Sequence, residues 1–123
     1  MTEPAFLLDS NICIYVLRDA ANPAAIRLGE CAPGSVATSA IVYAEILRGA
    51  PSGASVDALF SVVQILPFDA AAARAYATIP FKRGTFDRLI GAHALSRDLV
   101  VVTNNVRDYS DIPGLRVENW VDP

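Results

Sequence analysis

Leu99-Val-Val-Val-Thr103 is apolar or β-branched at every position and shows no polar alternation. A strand of that kind is buried on both faces, as in a parallel sheet covered by helices, and does not suit a half-exposed antiparallel one. Short runs of similar character recur at Ala5–Asp9, Ser35–Thr38, Gln64–Phe68 and Leu115–Val117. Helix signals separate them. Ser10 is placed to cap a helix reaching about Leu17. Pro23, in the first-turn position that suits proline, opens a helix to about Cys31. Thr38 or Ser39 caps a helix through Arg48 that Gly49 ends. A helix at Ser55–Val63 follows the turn-like break Gly49-Ala-Pro-Ser-Gly53. Asp69 caps Ala70–Ala77, which Pro80 stops, and residues 86–97 form a further helix. Strands alternating with helices predict an α/β fold with a parallel sheet and helices on both faces.

The 123 residues suit a single domain, 1–123. With 53% hydrophobic and 19% charged residues, the chain has enough apolar content to form a core and is not expected to be disordered. No apolar run approaches the roughly 20 residues of a membrane span. The N-terminus lacks the basic cluster of a signal peptide. A cytoplasmic protein without membrane contact is therefore expected. Cys13 and Cys31 form no metal-binding pattern and read as buried small hydrophobes. The net charge of −3 runs against a nucleic-acid enzyme. Nine of the ten basic residues are nevertheless Arg, the side chain suited to phosphate forks, and a carboxylate cluster holding a cation would absorb part of the acidic excess.

Open parallel sheets bind ligands beyond the carboxyl ends of their strands, where the strand order reverses. Asp9 ends the first strand, Glu45 lies within the helix after the second, and Asp87 opens the helix before the fourth. Asn104, Asn105 and Asp108 follow that fourth strand. Each acid also has a plain structural use. Asp9 can be a helix cap, Asp87 a first-turn acid favoured by the helix dipole, and Glu45 a salt-bridge partner of Arg48. Gathered in one pocket, however, the three carboxylates would repel one another unless a cation sits among them. An all-oxygen set suits Mg²⁺ or Mn²⁺. Such an ion activates water and clamps the oxygens of a phosphodiester displacement, so no protein nucleophile is needed. The chain accordingly offers one His and neither a nucleophile elbow nor a phosphate-binding glycine loop.

Four ordered blocks then carry a family likeness: Leu7–Tyr15 (LLDSNICIY), Thr38–Gly49 (TSAIVYAEILRG), Phe86–Leu95 (FDRLIGAHAL) and Val102–Tyr109 with Ile112–Trp120. Together they resemble the PIN-domain ribonucleases of the VapC type, the toxins of bacterial toxin–antitoxin pairs. The resemblance implies a three-layer α/β/α sandwich around a mainly parallel sheet, usually dimeric, and a Mg²⁺-dependent endoribonuclease, with Mn²⁺ as substitute, acting on tRNA or rRNA. It also implies a VapB-like antitoxin as partner, whose Arg often enters the acidic pocket. On this reading Asp9, Glu45 and Asp87 hold the metal and Asp108 or Asn105 completes the catalytic set. Position 105, an acid in many PIN domains, is Asn here, which leaves a non-catalytic PIN-fold binding module as the alternative. The segment Ile79–Gly84 looks shorter than in many relatives, which bears on the pocket wall and on substrate choice. Ser10, Asn11 and Thr103 are candidates to orient carboxylates or contact substrate. Lys82, Arg83 and Arg88 bracket Asp87 as phosphate contacts. His93, six residues beyond Asp87, is expected to be structural.

Overall fold

The computed structural model describes residues 3–49, 53–83 and 86–122. Its strands are β1 (Phe6–Leu8), β2 (Val36–Ser39), β3 (Gln64–Leu66), β4 (Val100–Thr103) and β5 (Val117–Asn119). They form one sheet in the order β3-β2-β1-β4-β5, and every neighbouring pair is parallel. Among the described residues the α-helices that connect them are α1 (Ser10–Arg18), α2 (Pro23–Glu30), α3 (Ala40–Gly49), α4 (Gly53–Val62), α5 (Ala70–Tyr76) and α6 (Asp87–Ser96). A short 3-10 helix, Val106–Tyr109, follows β4. Connections run outward from β1 through β2 to β3 and then cross back to β4. Right-handed crossovers therefore place α1–α4 on one face and α5–α6 on the other, giving a three-layer α/β/α sandwich. Packing agrees, with α1 against α2, α3 and α4, and α5 against α6.

Burial explains the central strands. All four residues of β2 and all four of β4 are buried, and Leu7, Leu8, Val101 and Val102 are fully enclosed. Side chains cap the helices at Asp9, whose carboxylate accepts from the Ile12 N–H at 2.9 Å, at Asn22, which accepts from Ala25 at 2.9 Å, and at Asp69, which accepts from Ala72 at 3.0 Å. The first of these belongs to Asp9, one of the two caps, with Ser10, that the sequence offered for this helix.

Other boundaries shift for local reasons. β3 stops at Leu66 because Pro67 brings no N–H to the ladder. β5 begins at Val117, two residues later than expected. Gly114 takes a positive φ of 79° and the Leu115 N–H turns back to the Ile112 carbonyl, so the chain is still turning there. Leu99 likewise stays outside β4, its N–H closing the end of α6 on the Ala94 carbonyl at 2.9 Å. Cys13 is buried, but Cys31 is partly exposed and its thiol donates to the Arg27 carbonyl at 3.3 Å. In the expected break at 49–53, residues 50–52 lie outside the described residues, as does Gly84.

Candidate metal centre

The sheet order reverses at β1, and β4 lies beside it. The carboxyl ends of these two strands deliver Asp9 and Thr103 side by side. Asp9 immediately follows β1, is 3% exposed and also starts α1. One carboxylate oxygen is fixed by the Ile12 N–H. The Thr103 side chain hydrogen-bonds the same carboxylate while its oxygen accepts from the Asn105 N–H at 3.0 Å. A buried carboxylate resists ionisation. Desolvation is the main reason the Asp9 pKa is pushed up to about 6, nearby Asp87 adds to it, and the hydrogen bonds from Thr103, Ile12 and Tyr109 partly oppose it.

Asp87 reaches the same place from the first turn of α6 and is half-buried. A phenol joins the two acids. The Tyr109 hydroxyl lies 3.3 Å from Asp9 Oδ2 and 3.3 Å from Asp87 Oδ1. Burial, followed by the two carboxylates, drives the phenol pKa far upward, so Tyr109 stays a proton donor. Glu45, half-buried on α3, accepts a 2.5 Å hydrogen bond from Ser10 Oγ. Among the described residues no ion pair joins it to Arg48. The three acids are thus arranged as an Asp9–Asp87 pair, with Glu45 tied in through the residue after Asp9. Among the described residues no three acids, histidines or cysteines stand close enough to share one ion.

The remaining candidates fall in different surroundings. Asn11, Asn104 and Asn105 are exposed, and Asp108 is half-buried in the 3-10 helix. Lys82 and Arg83 are exposed on the stretch before Asp87. Arg88, expected beside them as a phosphate contact, is instead 1% exposed, and its Nη2 donates to Asp111 Oδ1 at 2.6 Å. An i+1 residue on a helix turns about 100° away from its neighbour, and here that rotation carries Arg88 inward. His93 is fully buried. Its Nδ1 lies 2.8 Å from Ser39 Oγ and its ring meets Phe68 edge to face. Desolvation lowers its pKa, which keeps it neutral and structural.

Sequence reasoning did not single out Tyr109 or Asp111. Neither belongs to a spacing rule. The only available signal was the polar tip of a tyrosine in a turn that follows a strand-end threonine.

A family model described as PIN domain matches residues 6–115. The chain is 33% identical, over 94% of its length and 97% of the relative's, to a Shigella flexneri protein named tRNA(fMet)-specific endonuclease VapC. It is 34% identical over the same shares to the protein of that name from Salmonella typhimurium. Among solved structures, VapBC2 from Rickettsia felis bound to a promoter DNA fragment matches with a TM-score of 0.82 at 28% identity, covering 94% of this chain and 98% of that one.

Proposed function

The chain belongs to the PIN-domain family, and from that premise we propose that it is a VapC-type endoribonuclease toxin whose metal centre is built on the Asp9–Asp87 pair, with Glu45, held by Ser10, drawn in when an ion binds. The observation that carries this reading is the meeting of Asp9 and Asp87 on one hydroxyl at the reversal point of the sheet. The donor chemistry fits a hard divalent cation such as Mg²⁺ or Mn²⁺. The donors are all oxygen. Asp9 is a buried carboxylate with a raised pKa, and among the described residues it has no ion-pair partner to offset its charge. When bound, the ion would lower the pKa of water and offset charge developing on phosphate.

The protein's own residues prepare the rest. Ile12 N–H and Thr103 fix the orientation of Asp9, and Ser10 fixes that of Glu45. Asp108 or Asn105 completes the set after β4. Exposed Lys82 and Arg83 approach the RNA phosphates as point and fork donors. Buried Arg88 supports this wall from within through Asp111, and Asn11 at the start of α1 contacts the substrate. The relatives named as tRNA(fMet)-specific endonucleases make tRNA the first substrate to try. A VapB-like antitoxin inserting a cationic side chain among these acids is the inhibitor that charge complementarity favours. A homodimer acting in the cytoplasm completes the proposal. Among the described residues no helix is long and apolar enough to cross a membrane.

The test is cleavage of pooled tRNA and rRNA by antitoxin-free protein in Mg²⁺, with chelator and Asp87→Asn controls. A discrete cut that vanishes in both controls is the expected result. No cut in Mg²⁺ or Mn²⁺ would overturn the nuclease reading in favour of a binding module.

A further inference from the structure

We propose that Tyr109 is a positioning residue that sets the relation between the Asp9 and Asp87 carboxylates before an ion binds. Given the metal-centre reading above, two acids delivered by different elements must face one another without collapsing onto other partners. Asp9 is anchored to its own strand end by the Ile12 N–H and by Thr103. Asp87 arrives on a separate helix. The Tyr109 hydroxyl, 3.3 Å from an oxygen of each, spans the gap between the two elements.

The seat of that hydroxyl is built into α6. Asp87 and Gly91 are four residues apart and share one helix face. With no side chain at 91, the Tyr109 ring lies close against the helix. A Cβ there would meet Tyr109 Cδ1 at 3.4 Å and Ile112 Cδ1 at 2.6 Å. The ring is therefore held over Gly91 while its hydroxyl reaches one turn back to Asp87. On the neighbouring face, buried Arg88 holds Asp111, two residues beyond Tyr109, at 2.6 Å. The turn carrying the phenol is thus fastened to α6 at two points, and Tyr109 itself is 1% exposed. A ring needed only for packing has no use for a hydroxyl placed between two acids.

Outer partners that orient metal ligands are typically worth 10- to 100-fold in metal affinity. Mn²⁺ binding by the whole, antitoxin-free chain, followed by electron paramagnetic resonance without RNA, tests the role. Tyr109→Phe keeps the ring and removes the hydroxyl. It is expected to weaken Mn²⁺ binding by about 10-fold while thermal unfolding in chelator moves little. In cleavage assays the loss should be recovered by raising Mn²⁺, with KM for RNA unchanged. Unchanged or tighter Mn²⁺ binding in a folded Tyr109→Phe protein would overturn the role of Tyr109 and leave the metal centre standing. Wild-type protein that binds Mn²⁺ no better than Asp87→Asn would overturn both.

Discussion

At the scale of single residues, Asp9 serves two ends that pull against each other. It caps α1 through Oδ1 and presents Oδ2 to the pocket, yet its burial penalises the charge the pocket needs. The rise of its pKa from 3.8 to about 6 corresponds to on the order of 3 kcal/mol of lost stability once the group ionises. A folded pKa above the unfolded one means the carboxyl favours folding when protonated. The penalty is absent below pH 3.8, grows between pH 3.8 and about 6, and is full above that. Asp9→Asn keeps an oxygen for the Ile12 N–H and carries no charge. It is therefore expected to abolish cleavage and, in chelator, to stabilise the fold at pH 7, with the gain fading near pH 4. Denaturant unfolding at the two pH values checks this, and a destabilised variant at pH 7 would contradict it. Ser10→Ala removes the hydrogen bond to Glu45 and is expected to lower the cleavage rate by about 10-fold with little change in unfolding midpoint.

The elements differ in how far they could be read from the sequence. β4 and α6 were legible because β-branched runs and helical spacing act locally. The caps at Asp69 and the proline at 23 were legible for the same reason. Asn22 was not singled out, yet it accepts from Ala25 at 2.9 Å and donates to the Tyr15 carbonyl at 2.6 Å, joining α2 to α1. Asn22→Ala is expected to destabilise the fold by about 1–2 kcal/mol without altering metal affinity, as unfolding and Mn²⁺ titration would report. Asp9 and Asp87 could be picked out because strand ends and helix starts are where parallel sheets place ligands, whereas Glu45 lies within a helix, at a position that no such rule marks. That Tyr109 bridges two of them, and that Arg88 turns inward to Asp111, depends on how the turn after β4 folds back over α6. No local pattern encodes that contact, which is why the phosphate role was extended to Arg88 along with its exposed neighbours.

For the molecule as a whole, the charge balance sets how RNA is held. A chain of net charge −3 cannot rely on a general attractive field, so a few well-placed cations must supply the phosphate contacts. Lys82→Ala with Arg83→Ala is expected to weaken RNA binding across sequences and to reduce the slope of log affinity against log salt by about 2. Filter binding at several salt concentrations would measure it, and an unchanged slope would place the phosphate contacts elsewhere. The sheet order β3-β2-β1-β4-β5 brings the carboxyl ends of β1 and β4 side by side, and with them Asp9 and the turn that carries Tyr109. The most direct measurement is anomalous scattering from a crystal of the antitoxin-free protein grown with Mn²⁺. The account predicts a peak within ligand distance of both the Asp9 and Asp87 carboxylates, absent in Asp87→Asn; a fully occupied peak elsewhere, with none at this pair, would contradict it.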